Sequence, residues 1–293
     1  MPASEGPPQG IVWLASYPKS GNTWTRTFLH NLLGLMEGDQ GEHDINEINE
    51  FTTWDLAAKR YEPILGKSVL EAERAEIAAA RPLVQAEIAA QTDGLSLVKT
   101  HHALVMDRGQ PTLNFAVTTG AVYLVRNPLD IAVSFAHHMG TSIDVAIAQM
   151  GQKGLETAVT EKSVYEVYGS WSEHVRSWTA KPHRAVIVAR YEDMLADPFT
   201  AFSGIARHLL LRAGLDQIDE AIARSSFDRL KAQEDARGFR EKPESSERFF
   251  REGKAGGWRK RLSRRQIRQI VRDHRAEMAR FGYLTDDIAH LAR

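Results

Sequence analysis

Four short runs of consecutive apolar residues punctuate the first two thirds of the chain: Ile11 to Ala15, Leu95 to Val98, Ala121 to Val125 and Ala185 to Ala189. Hydrophobicity that is continuous rather than alternating means burial on both faces, as in parallel strands covered by helices. Between the runs the apolar positions fall at helical spacing, over Trp24 to Leu35, Leu70 to Ala90, Pro128 to His138, Tyr165 to Thr179 and Phe199 to Leu211. Strands alternating with helices predict an α/β fold with a central, mainly parallel β-sheet flanked by helices. No internal repeat and no linker divides the pattern, so residues 10–293 read as one domain behind a Pro-, Gly- and Ser-rich tail, residues 1–9, expected to be disordered. Two polar stretches, Glu37 to Glu62 and Glu234 to Glu247, read as loops or weak helices of the kind that line or cover a site.

The first run hands over to its helix through Tyr17-Pro18-Lys19-Ser20-Gly21-Asn22-Thr23-Trp24. In a parallel sheet the carboxyl end of a strand faces the ligand crevice. The first turn of the next helix offers unpaired N–H groups and a positive dipole end, which favour an anion. Gly21 permits close backbone approach, Ser20, Asn22 and Thr23 supply hydrogen-bond donors, and Lys19 brings a full charge. Together they make a phosphate cradle, although a capped helix beside a solvated lysine uses the same residue types. The lysine precedes the glycine and the leading glycine of G-x-x-x-x-G-K-[ST] is missing, which disfavours an ordinary nucleotide triphosphatase.

A second candidate anion site lies in AVYLVRNPLDIAVSF: a strand, then Arg126, then Asn127 as N-cap and Pro128 at the first helical position. Nucleotide triphosphatases hold magnesium with an acidic residue at such a strand end. An arginine there calls for an anion instead, the alternative being a surface ion pair. The run ending LSLVKTHHAL brings Lys99, His101 and His102 to the same edge of the sheet, and because neighbouring side chains alternate, only one histidine should face the crevice.

Composition narrows the chemistry. The chain has no cysteine, which excludes disulfides, thiolate metal sites and a cysteine nucleophile. The opening residues lack a basic region, and the apolar run after them is too short for a signal or a membrane span, so a cytoplasmic location is the default expectation. Net charge is −1, yet the segment from Arg248 to Arg275 holds eleven Lys or Arg against Glu252 and Asp273. That asymmetry fits a solvated helix face over Ser263 to Arg280, or a surface for nucleic acid. His101, His102, His137 and His138 lack partners at helical metal-binding spacing, so no metal site is expected among them. Trp171 and Trp178 share one helical face and are expected in the core.

YPKSGNTW followed by RNPLDIAVS resembles the two phosphate sites of sulfotransferases that use 3′-phosphoadenosine 5′-phosphosulfate (PAPS), a family whose three-layer fold is related to P-loop kinases. The resemblance implies that Lys19 contacts the 5′-phosphate and the bridging oxygen. Ser20, Gly21, Asn22, Thr23 and Trp24 would complete that loop, with Trp24 near the adenine, while Arg126 and Ser134 grip the 3′-phosphate. RYEDMLADP resembles a segment whose tyrosine, here Tyr191, contacts the adenine, and Ser225-Ser226-Phe227 resembles an element that makes Ser225 an adenine-side contact. FFREGKAGGW resembles the C-terminal signature R-K-G-x-x-G-x-W, in which Arg251 and Gly253 would close over the 3′-phosphate. Glu252 stands where that signature has a basic residue, with Lys254 as a candidate to compensate.

Lys-Thr-His at 99–101 implies His101 as general base, with Lys99 and Lys19 stabilising the transferring sulfuryl group. PAPS is then a co-substrate and adenosine 3′,5′-bisphosphate (PAP) the product, with no metal required. The partner is a small-molecule hydroxyl or amine acceptor, with no nucleic acid and no membrane, and a homodimer is left open. The match looks closest to soluble bacterial members that sulfate small molecules or natural products. The acceptor pocket is expected to draw its walls from Glu37 to Glu62, His102 to Thr118 and Met139 to Lys153. Two other classes stay open at this point: a small-molecule kinase or nucleotide triphosphatase on the same fold, and a non-catalytic protein binding adenosine bisphosphate or RNA.

Overall fold

The computed structural model describes residues 9–39, 41–92, 94–243 and 246–291; the expected disordered tail, apart from Gln9, lies outside them. Among these residues seven strands are present: β1 (Gly10–Ser16), β2 (Thr53–Trp54), β3 (Leu95–Thr100), β4 (Met106–Asp107), β5 (Gln110–Pro111), β6 (Thr118–Val125) and β7 (Val186–Arg190). Five form one parallel sheet in the order β2-β3-β1-β6-β7, and β4 and β5 make a separate antiparallel pair. The four apolar runs are the four long strands, and β1 sits at the centre between β3 and β6.

Burial on both faces follows from the alternation of side chains. Trp13 and Ala15 of β1 enter one core while Leu14 enters the other, and Tyr123 and Leu124 of β6 divide in the same way. The first core is closed by helices Arg74–Ala90, Pro128–Met139, Trp171–Thr179 and Arg264–Arg280, through side chains such as Ile77, Phe135, Trp171 and Ile270. The second is closed by Asn22–Met36, Pro198–His208 and Leu215–Arg224, through Phe28, Phe202 and Ile218. Helices therefore cover both sides of the sheet, giving the three layers expected. The basic helix Arg264–Arg280 buries Ile267, Ile270, Val271 and Met278 and turns its arginines outward. Among the described residues no helix is long and apolar enough to cross a membrane.

Three segments depart from the expected pattern for local reasons. The helix expected from Tyr165 starts at Trp171, where Ser170 caps it and Glu173 completes a capping box. Residues before it form an irregular hairpin instead, with Glu156 bridged to Val167 and Thr160 to Ser163. The polar stretch Glu37 to Glu62 holds two short helices, Ile48–Phe51 and Ala58–Leu65, and the edge strand β2. It is ordered by Arg26, fully buried, whose guanidinium donates to Thr52 Oγ1 at 2.7 Å and to the Ile48 carbonyl at 3.0 Å. The β4–β5 hairpin is pinned by Arg81, both of whose Nη atoms lie 3.1 Å from Asp107 Oδ2 in a buried pair.

Candidate active site

Four consecutive strand ends of the sheet deliver polar residues to one cleft of about 580 Å³. Lys19 follows β1, Lys99 is the penultimate residue of β3 and His101 follows that strand, Arg126 follows β6 and Tyr191 follows β7. Asn22, Thr23, Trp24, Ser134, Arg251 and Gly253 also line it. The two expected anion sites are therefore continuous: Arg126 Nη1 donates to the Lys19 carbonyl at 2.9 Å, and its guanidinium lies 4.2 Å from the centre of the Tyr191 ring. Arg126 Nη2 also donates to the Lys254 carbonyl at 3.3 Å, which fastens the C-terminal cover to the same edge.

The turn after β1 is strained. Lys19 has φ 69°, a left-handed conformation that a side chain adopts at a cost of about 1–3 kcal/mol. Gly21, at φ 104°, has no room for anything larger, because a Cβ there would stand 2.8 Å from Tyr191 Cδ2. Asn22 holds the turn to its strand, donating through Nδ2 to the Leu14 carbonyl at 2.8 Å. At the opposite wall Gly253, φ 58°, lies so close to the Phe227 ring that a Cβ would meet Cδ2 at 2.3 Å. Each motif glycine thus marks a close approach between backbone and an aromatic wall of the cleft.

Positive charge dominates the field. Burial pushes the Lys19 ammonium down to about 7, and Arg126 and Lys99 add to the effect. Its Nζ rests 4.1 Å from the centre of the Phe249 ring. His138, on the cleft wall, is driven to about 3 by burial and then by Lys19 and Lys99. A pocket that drives its own cations toward neutrality is incomplete without an anion. Several buried polar atoms around it are also unsatisfied among the described residues: Ser20 Oγ, Trp24 Nε1, Thr25 Oγ1 and Arg126 Nε. These observations fit a ligand carrying phosphate or sulfate groups.

The geometry separates the two histidines. His101 Nδ1 lies 2.7 Å from the Ser16 carbonyl, and a carbonyl only accepts, so Nδ1 carries the proton and Nε2 keeps its lone pair. Burial, then Lys99, holds His101 well below the usual imidazole range, so the ring is neutral at physiological pH. A chain of bonds fixes its backbone: Tyr123 Oη donates to His174 Nδ1 at 2.9 Å, and His174 Nε2 donates to the His101 carbonyl at 3.1 Å. His102 turns into the core, accepting from the Val167 N–H at 3.0 Å through Nδ1, and is not a cleft wall.

Two carboxylates that the motifs did not announce stand in the cleft. Glu241 contacts Lys99 Nζ at 3.5 Å and Arg26 Nη1 at 2.6 Å. Burial alone would raise it, but Lys99 and Arg26 overcome that and hold it at about 2. Glu166 accepts from the His101 N–H, and burial nonetheless pushes it up to about 7. Of the other expected residues, Ser20 is fully buried without forming a cleft wall, and Ser225 spends its hydroxyl on the Ala221 carbonyl at 2.8 Å and lies outside the cleft walls. Lys254 and Glu252 both line the cleft.

The three segments expected to wall the acceptor pocket contribute unequally to this cleft. Trp54 and Leu56 come from the first expected segment, but only Met139 comes from Met139 to Lys153. The rest of that segment forms helix Ile143–Gly151, whose Ala146, Ile147 and Met150 are buried in the core. None of the cleft walls comes from His102 to Thr118, which the Arg81–Asp107 pair draws away. The irregular hairpin does line the cleft, through Thr157, Thr160, Val164, Glu166 and Tyr168.

The family profile described as a sulfotransferase domain matches residues 9–282. A sulfotransferase 1B1 of Canis lupus familiaris is 27% identical over 259 residues, covering 86% of this chain and 77% of that protein. A sulfotransferase 2A1 of Rattus norvegicus is 28% identical over 220 residues, covering 74% and 66%. Among solved structures, a mouse sulfotransferase, SULT7A1, complexed with PAP superposes with a TM-score of 0.63 at 20% identity, covering 96% of this chain and 88% of that one. Retinol dehydratase in complex with retinol and PAP gives 0.62 at 22% identity, covering 92% and 81%. Since the family match runs from before β1 to beyond the basic helix, every strand end that feeds the cleft lies inside it, and the chain belongs to the sulfotransferase domain family.

Proposed function

We propose that the cleft binds PAPS across the Lys19 and Arg126 sites and transfers its sulfuryl group to the hydroxyl or amine of a small-molecule acceptor, releasing PAP. The observation that carries the reading is the direct bond from Arg126 to the Lys19 carbonyl, which makes two cationic sites one elongated pocket. The donor supplies an activated sulfuryl group on a phosphate leaving group. His101 Nε2 accepts the proton of the acceptor group, since Nδ1 is already committed to Ser16. Lys99 and Lys19 face charge that develops on the transferring group and the departing phosphate. Arg126, Ser134, Arg251 and Gly253 hold the second phosphate, while Trp24 and Tyr191, in edge contact with ring centres 5.9 Å apart, form the adenine wall. The hairpin residues and Trp54 face the acceptor.

Calorimetric titration with PAP and with ADP, both without magnesium, tests the assignment. PAP is expected to bind preferentially, and Arg126→Ala to weaken it about 10- to 150-fold, the equivalent of a charge-assisted bond worth ~1.5–3 kcal/mol. Equal binding of the two nucleotides, or PAP affinity unchanged in the variant, rejects it.

Proton linkage gives a second expectation. A bound phosphate raises the Lys19 pKa from about 7 back toward the ordinary lysine range, so the complex holds a proton that the free protein has lost above that pH. PAP binding at pH 8 should take up most of one proton, seen as a heat that varies with the buffer's ionisation enthalpy, and affinity should fall as pH rises through 7. Heats independent of buffer at pH 8 would show that free Lys19 is still charged there.

A further inference from the structure

We propose that His30, His43 and Glu47 form a binding site for a divalent transition-metal ion of the zinc type, separate from the cleft. None of the three lines the cleft walls. His30 lies in helix Asn22–Met36, His43 in the loop after it, and Glu47 closes the short turn Ile45–Glu47. One ligand atom from each lies within 4.8 Å of the others. The two imidazoles stack with centres 4.1 Å apart, and the His43 ring occupies a notch that exists only because residue 34 is glycine: a Cβ there would stand 2.2 Å from His43 Nε2.

Two further observations point to a ligand. His30 Nδ1 is a buried nitrogen without a hydrogen-bond partner among the described residues, a cost that needs a compensating group. Carboxylates also address both edges of the His43 ring. Glu47 Oε2 is 3.6 Å from Nδ1, close to the separation of about 3.4 Å that tetrahedral bonds of ~2.1 Å to zinc require. Asp39 Oδ2 is 3.8 Å from Nε2, and its other oxygen is held by the Gly41 N–H at 2.7 Å. With the ion on Nδ1, Nε2 is left to donate to Asp39, the carboxylate–imidazole–metal relay that orients metal-binding histidines. Two imidazoles and one carboxylate suit zinc, nickel or copper, whereas magnesium prefers oxygen alone. Three protein ligands leave a coordination position for water.

Simple aromatic packing accounts for the stacked rings, which continue onto Phe51 at 4.8 Å. It does not account for a carboxylate at each edge of one imidazole. The loop so clipped is docked on helix Phe227–Arg237, where Gln233 accepts from the Ile45 N–H at 2.8 Å and Arg237 contacts Asp44 at 2.9 Å. That helix begins at Phe227, the residue against which Gly253 closes. The ion is thus placed to stiffen the support of the C-terminal cover.

Zinc chloride titrated calorimetrically into the chelator-stripped full chain is expected to bind one ion per chain and to raise Tm. His43→Asn and Glu47→Gln should each abolish the Tm rise and weaken binding at least tenfold, and Asp39→Asn by ~10-fold or more as an orienting group. Glu47 has a half-exposed side chain, so its variant carries the test if His43→Asn does not fold. Failure of the wild-type chain to bind zinc overturns the proposal, as does binding that survives both ligand variants unchanged.

Discussion

His101→Ala is expected to lower kcat for sulfuryl transfer by about 10²–10⁴-fold while leaving PAP affinity within a few-fold of wild type. The asymmetry follows from the role: the ring takes a proton from the acceptor and is not assigned a donor phosphate. Its pH signature is specific. Burial and Lys99 keep His101 neutral well below the usual imidazole range, so the wild-type rate should hold steady as pH falls through 6.5 and drop only at lower pH, where the ring gains its proton. In the alanine variant that low-pH limb should vanish. His102→Ala provides the contrast, because His102 is fully buried and tied to Val167 and to Trp178 Nε1, which donates to its carbonyl at 2.9 Å. It should lower Tm and leave kcat within a few-fold. Near wild-type turnover in His101→Ala, or a large kcat loss confined to His102→Ala, would assign the base elsewhere.

The residues legible from sequence are those on strand ends. An apolar run announces a buried strand, and whatever polar residue ends it must appear at one edge of a parallel sheet, so Lys19, Lys99, His101 and Arg126 could be grouped before any contact was known. Glu241 was not legible in that way. It lies in a polar stretch without periodicity and reaches the cleft because Arg26, buried beneath it, offers a partner at 2.6 Å, a contact spanning most of the chain. The hairpin around Thr157 to Tyr168 leaves no periodic signal for a related reason: isolated bridges, not a repeating ladder, hold it. Ser225 matched by sequence neighbours alone, and its hydroxyl instead satisfies a helix carbonyl.

Glu241 also sharpens the electrostatics of the resting cleft. Its carboxylate neutralises part of the charge of Lys99 where a transferring sulfuryl group would demand all of it. Among the described residues Lys19 has no comparable carboxylate at hand; its ammonium rests on Phe249, and Glu241 only partly offsets the burial and the neighbouring cations that depress it. Lys19 is therefore the cation most ready to meet a new anion, and Lys19→Met is expected to lower kcat by about 10²–10³-fold, the cost of deleting one preorganised donor in a low-dielectric site. The substitution preserves length and apolar contact with Phe249, so packing should survive and Tm should not fall. Removing an ammonium that burial and the neighbouring Arg126 and Lys99 already disfavour relieves repulsion on those cations, which works in favour of stability. Lys19→Arg should not restore the rate, because a planar guanidinium cannot replace a compact ammonium on a left-handed backbone position wedged between Arg126 and Phe249. Steady-state kinetics and a thermal melt on both variants decide the matter: a kcat within threefold of wild type in Lys19→Met would remove the lysine from the transfer step, whatever its contribution to binding.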